Sequence, residues 1–387
     1  MPVDSARPAG KPLSFMTPRE ELALLLRPAA GGLYLVSTGR AEQLAVQRRL
    51  YRADTEAQIL ARFHEALERV AEARAIVLGV PSDVGAGFRR GANLGPQGIR
   101  TALLDAVPHF PAWAEASGVV DLGDVFVVPQ LLHDDMLSEA QKEASRRALY
   151  PGVPAADAAA LPVSPLSIEE RALDLILALN PRVAPIVLGG DHSTALPVAR
   201  ALARARREPW GIVQPDAHTD LLEERLGVRD CFATWSYHAN ELLGRGGRLT
   251  QVGIRASRHP REHWEGRYGV RQFWAAECLA DPAAALDAIL AHVKGTGALG
   301  VYFSNDIDGT DEAHADATGT PEPGGLDPDF VVTLIRRLGR EVGLIAGDVM
   351  EVAPALGRTP ESAASTLALA ARYLRETIQA TVGVAMS

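Results

Sequence analysis

The chain lacks the features that define several large protein classes. In 387 residues it carries only two cysteines, Cys231 and Cys278, so there is no disulfide framework and no CxxC pair. No run of about 18 apolar residues occurs, which excludes a membrane-spanning helix. The opening stretch, MPVDSARPAGKPLSF, has no apolar core of the kind a secretory signal requires. Lys and Arg are dispersed rather than blocked, and the formal net charge is −9. That balance argues against nucleic acid or an anionic membrane as a partner. No internal repeat of 20–50 residues is apparent, which excludes a solenoid. A cytoplasmic protein is the expectation.

What is present is a large apolar fraction, 47%, in a pattern that alternates between two periods. Short β-rich runs fall at 75–80, 119–122, 185–188, 211–214, 249–254, 270–274, 299–303 and 343–346. Most are continuous rather than alternating, as strands covered on both faces should be. Helix-like stretches lie between them at 96–106, 168–179, 194–206, 282–293, 328–340 and 361–377. This βα alternation predicts a three-layer α/β/α sandwich around a mainly parallel sheet of about eight strands. Residues 1–73 carry helical patterns at 18–26 and 55–74 but no clear strand. They read as an N-terminal helical extension to a catalytic domain at 74–387. Residues 127–165, rich in Ala, Pro and Asp, have no stable period and read as a long surface connection.

Three short clusters carry the chemistry: GGDHS at 189–193, DAHTD at 216–220 and SNDID at 304–308. Each follows a predicted strand, so all three belong at the edge of the sheet where ligands gather in α/β folds. His192, Asp216, His218, Asp220, Asp306 and Asp308 offer two imidazoles and four carboxylates. Buried together, so many carboxylates need cations. Two divalent ions sharing ligands would meet that need, and their usual use is to ionise water for hydrolysis. Imidazole with carboxylate and no thiolate suits Mn²⁺, with Ni²⁺, Co²⁺, Fe²⁺ or Zn²⁺ as alternatives. The alternation of Asp216, His218 and Asp220, repeated by Asp306 and Asp308, predicts extended segments whose ligands leave on one face.

With these clusters in view, the chain resembles the ureohydrolases, the family of arginases, agmatinases and formimidoylglutamases. The resemblance runs from GVPSDVGAGFRRGANLGPQGIR (79–100) through DLGDV (121–125), GGDHS and DAHTD. It continues to SNDIDGTDEAHADATGTPEPGGL (304–326) and GDVMEVAP (347–354). It implies an arginase-like fold, a homotrimer or homohexamer, and hydrolysis of a C–N bond in a linear amidine. It also implies that Asp216 and Asp306 bridge two metals. His192 and Asp220 would complete one ion, and His218 and Asp308 the other. Thr320 and Glu351 match positions that hold the guanidinium or amidine group, a role for which a carboxylate suits the planar cationic fork. Asp220 would pass a proton to the leaving amine, which requires it to lie close by.

Two departures bear on substrate and proton transfer. Phe232 stands where family members often have a histidine that assists proton transfer, although formimidoylglutamases also lack it. His238 and His314 are the candidate replacements. Leu221 and Leu222 follow DAHTD where arginases place polar residues, which disfavours L-arginine. Glu223 and Glu224 offer partners for an amine such as agmatine's, whereas Arg225 and Arg229 offer partners for a carboxylate. The alternatives are a formimidoylglutamase-like or guanidino-acid hydrolase, a single-zinc deacetylase of similar fold, or a metal-binding regulatory protein without turnover.

Overall fold

A computed structural model describes residues 16–386, and the first fifteen residues of the N-terminal extension lie outside that range. The eight apolar runs are strands: β2 (Ala75–Gly79), β3 (Val119–Val125), β4 (Ala184–Leu188), β5 (Gly211–Pro215), β6 (Leu249–Ile254), β7 (Arg271–Trp274), β8 (Val301–Asp306) and β9 (Leu344–Met350). β2, β4, β5, β6 and β8 are buried at every position. Helical layers on both faces of a sheet produce this, and it is why these runs are apolar without alternation.

The sheet has a ninth member. β1 (Leu26–Arg27) pairs antiparallel with the end of β3, Leu26 opposite Val125. It corrects the reading of residues 1–73 as strandless; two residues are too short to show a period. The other pairings are parallel, in the order β1-β3-β2-β4-β9-β8-β5-β6-β7. The chain skips two places between β4 and β5, and β8 and β9 later fill the gap. The central strands β4, β9, β8 and β5 therefore place four separate strand ends side by side.

The extension shares the main core. Leu22, Leu25, Ile59 and Phe63 are buried in the same apolar cluster as the sheet. Glu21 takes a bidentate ion pair from Arg171, at 2.6 and 2.7 Å, on the helix Pro165–Leu179. The segment 127–165 also differs from expectation, since it holds a helix at Glu139–Leu149 capped by Ser138. That helix buries no residue, so no apolar stripe marks it in the sequence.

The GPQGIR and DLGDV motifs meet inside the fold. Arg100 grips Asp121 with two bonds, Nε–Oδ2 2.8 Å and Nη2–Oδ1 2.9 Å, and also pairs with Asp124. Its fourth contact is the carbonyl of Gly123, at 3.0 Å. Gly123 has φ +74°, and a Cβ there would lie 1.9 Å from the Arg27 carbonyl oxygen, so only glycine fits beside β1. Arg100 thus ties the helix Gly95–Ala106 to β3. Replacing it by Met should cost about 3 kcal/mol or more, because the buried Asp124 and the partly buried Asp121 lose their counter-charge. The check is the urea midpoint at unchanged m-value; an unshifted midpoint would show that the pair does not need it.

Candidate metal centre

All three sequence clusters arrive at the adjacent ends of β4, β5 and β8, and all three use the same local device. Asp191 Oδ1 accepts the backbone N–H of Ser193 at 2.9 Å, Asp216 Oδ1 that of His218 at 2.6 Å, and Asp306 Oδ1 that of Asp308 at 2.9 Å. These are Asx turns, in which a short carboxylate closes its own chain two residues on. They overturn the expected extended alternation: the ligand segments bend, and 307–309 is a 3₁₀ turn. Asp220 itself sits at φ +51°. Convergence comes from turning the chain, not from the pleat of a strand.

The glycines of GGDHS let this happen. A Cβ on Gly190 would fall 1.6 Å from the Ser82 carbonyl oxygen, and one on Gly189 would fall 1.8 Å from Met350 Sδ. The β4 end can then press against the loop after β2 and deliver His192 into the centre. There His192 Nδ1 lies 3.0 Å from Asp306 Oδ2, 3.4 Å from Asp216 Oδ2 and 3.7 Å from Asp220 Oδ2. His218 Nδ1 lies 3.1 Å from Asp308 Oδ2. The backbone N–H of Ala217 donates to Asp308 Oδ1 at 3.1 Å.

Burial sets the electrostatics. It pushes the Asp220 and Asp306 carboxyls well above the usual range, with Asp216 and Asp308 adding repulsion. Asp216 falls below its usual range despite burial, because His192 and His218 both bond to it. Burial opposes a proton on His218, yet Asp308 and Asp216 push it up to about 12.

A supporting layer holds these groups in place. Three glutamines sit directly opposite one another on β5, β6 and β7 and are fully buried: Gln214, Gln251 and Gln272. They form a one-way chain of donors. Trp274 Nε1 donates to Gln272 (3.0 Å), Gln272 to Gln251 (2.8 Å), Gln251 to Gln214 (2.9 Å) and Gln214 to Asp216 Oδ2 (2.7 Å). The indole can only donate, which fixes the direction of every amide. On the other side, His192 Nε2 lies 3.0 Å from Ser304 Oγ, which donates to Asp348 at 2.8 Å. Trp235 stacks on His192 with centroids 4.5 Å apart and donates to Asp220 Oδ2 at 3.2 Å. Sequence reasoning missed these residues. The signal for Gln214 was a polar residue inside an otherwise apolar strand.

Of the remaining site residues, two lie at the centre. Glu351, directly after β9, accepts the backbone N–H of His192 at 2.9 Å and has φ +61°. Thr320 donates to Asp308 Oδ2 at 3.0 Å. The other four do not meet the centre in this structure. His238 Nε2 faces the carbonyls of Glu223 (3.0 Å) and Arg229 (3.2 Å), so it braces the 223–229 loop and bonds to no ligand. His314 is exposed on a turn, as are the side chains of Glu223 and Arg229 on theirs. Loop position alone does not set a side chain's reach, which depends on how the loop folds. Leu221 is buried at 1% exposure, which removes it from the substrate surface.

The donor set fits divalent metal. Two overlapping groups, His192–Asp216–Asp306 and Asp216–His218–Asp308, each bring their ligand atoms within 4.8 Å of one another and share Asp216. No other such group occurs among the described residues. Nitrogen and oxygen donors without thiolate suit first-row divalent ions, and their charge would offset the burial of Asp220 and Asp306.

Comparison with known proteins agrees with this geometry. A family model described as the Arginase family matches residues 73–379. A guanidinobutyrase of Pseudomonas aeruginosa is 31% identical over 318 residues, spanning 80% of this chain and 87% of its own. A mitochondrial guanidino acid hydrolase of Homo sapiens is 30% identical over 288 residues, spanning 72% and 71%. The solved agmatine ureohydrolase of Thermoplasma volcanium aligns with a TM-score of 0.60 at 26% identity, over 81% of this chain and 91% of that one. The chain belongs to the arginase family.

Proposed function

We propose that the chain is a binuclear metal-dependent ureohydrolase that uses water to split a C–N bond of a guanidino compound, releasing urea and an amine. Arginase-family hydrolases are metal-dependent amidinohydrolases. The observation that carries the reading is the meeting of six ligand-type side chains with Glu351 at one sheet edge, Glu351 being bonded to the backbone of His192 itself.

The chain's own residues divide the work. His192, Asp216, Asp220 and Asp306 would hold one ion and Asp216, His218, Asp306 and Asp308 the other. Bound there, Mn²⁺, or Ni²⁺, Co²⁺, Fe²⁺ or Zn²⁺ in its stead, supplies water ionised near neutral pH by lowering its pKa from about 15.7 towards 7. Glu351 pairs with the guanidinium fork and fixes the carbon to be attacked. Thr320, bonded to Asp308, flanks the same group. Asp220, held by Trp235, carries a proton to the leaving amine. Assembly as a cytoplasmic homotrimer or homohexamer belongs to the same reading, and sedimentation tests it.

Elemental analysis should find two divalent ions per active chain, with activity lost on chelation; one ion in fully active protein would refute the paired site. Asp216→Ala and Asp306→Ala should each lose most of the metal. Glu351→Gln should lower kcat/KM for every guanidino substrate about 30-fold or more, since one charge-assisted bond contributes about 2 kcal/mol. Full activity of that variant would remove Glu351 from substrate binding. L-Arginine should be a poor substrate by urea release. Gln214→Leu should weaken metal affinity by about 10- to 100-fold in a competition titration while the fold is kept; unchanged affinity would leave the glutamine chain a packing feature only.

A further inference from the structure

A cleft of about 510 Å³ opens beside the metal centre, within the range of small-molecule sites. The loop after β2 forms one wall and is continuous with the centre in two places. At Gly85 the backbone presses on the turn that carries His192: a Cβ there would lie 2.4 Å from Ser193 Oγ and 2.7 Å from Asp191 Oδ1. Further along, a Cβ on Gly319 would lie 3.4 Å from the Arg89 carbonyl oxygen and 3.8 Å from Glu351 Oε2. Phe88 and Arg90 of the same loop face the cleft. Phe232 lines the cleft as well, and its backbone N–H donates to Gly85 O at 3.1 Å.

Composition of the cleft separates substrate classes. The segment 127–165, which had no motif, supplies Leu131, Leu132, Met136 and Leu137. Two cationic side chains line it, Arg90 and Arg225, and no acidic residue does. Arg225 lies 4.8 Å over the Phe232 ring, which fixes its guanidinium against one wall of the cleft. This is a cationic, apolar cleft in a chain of net charge −9, next to a centre made of carboxylates. Glu223 and Arg229, exposed on the same loop as Arg225, are not among its walls.

Resting on the ureohydrolase reading, we propose that this cleft is the subsite for the substrate's tail and that it selects an ω-guanidino carboxylate with an apolar spacer. The guanidinium goes to Glu351, the spacer lies along Leu131 and Met136, and the carboxylate meets Arg225 and Arg90. A diamine-derived guanidine such as agmatine brings its distal ammonium to two arginines and is repelled. Lengthening the spacer should tighten binding about fourfold per buried methylene until the carboxylate reaches Arg225.

The test uses the metal-loaded full chain with a series of ω-guanidino carboxylates, the matching uncharged alkylguanidines, and agmatine. Urea release should favour the carboxylates over agmatine by at least tenfold in kcat/KM. In Arg225→Ala the carboxylate-to-uncharged ratio of kcat/KM should fall about tenfold, carried by KM rather than kcat, with partial recovery in Arg225→Lys. Equal turnover of carboxylates and agmatine, or an unchanged ratio in Arg225→Ala, overturns the subsite and leaves the ureohydrolase reading standing. Should no guanidino compound release urea, that reading fails, and calorimetric Kd values still decide the cleft: carboxylates tighter than agmatine support it, equal or inverted order overturns it. A sedimentation shift in Arg225→Ala with no change in tail preference would mean that a second copy of the chain occupies the cleft, and also overturns it.

Discussion

Repulsion among four carboxylates gathered in one buried corner is the constraint around which this structure is organised. Asp216, Asp220, Asp306 and Asp308 are each at most 8% exposed, and in a medium of low dielectric their charges oppose one another strongly. What surrounds them answers that repulsion with positive ends. Backbone N–H groups of His218, Asp308 and Ala217 are aimed at three of them. His192 and His218 stand between them, and the glutamine chain ends with a donor on Asp216. These groups hold the geometry but carry too little charge for the burial, which is the physical case for two cations.

The topology makes that corner possible. Because β8 and β9 fill the gap left between β4 and β5, residues distant in sequence emerge from four neighbouring strand ends. Close approach of backbones then does the fine placement, through Gly189 and Gly190 against Met350 and Ser82. The pair of glycines is a packing requirement first, and His192 close by inherits its position.

Much of this was legible in the sequence, and the failures have physical reasons. All eight longer strands showed as β-rich runs, most of them continuously apolar because both sheet faces are covered. β1 did not show, being two residues long. The six candidate ligand residues stood out because carboxylates and histidines gathered after three buried strands are costly without a counter-charge. Their local geometry was misread, since an Asx turn and an extended pair share the same D-x-polar spacing. His238 looked like a proton carrier by position but spends its ring nitrogen on two carbonyls. The walls of the cleft were invisible for a different reason: Leu131, Leu132, Met136 and Leu137 lie among Ala and Pro with no period, and only the fold brings them opposite Phe232.

Asp220 and Glu351 share the left-handed backbone region, at φ +51° and +61°, where most side chains cost about 1 kcal/mol or more. Asp tolerates that region better than Glu does, so Glu351 in particular stores strain that its surroundings must offset. Alanine at either position would remove the carboxylate yet keep the Cβ and its penalty, mixing two effects in one measurement. Glycine carries no such penalty, so it could relieve strain and raise stability while abolishing the carboxylate's role. At these two positions the informative truncation is to glycine, and alanine scanning would misjudge how much the protein gives up in stability to hold them.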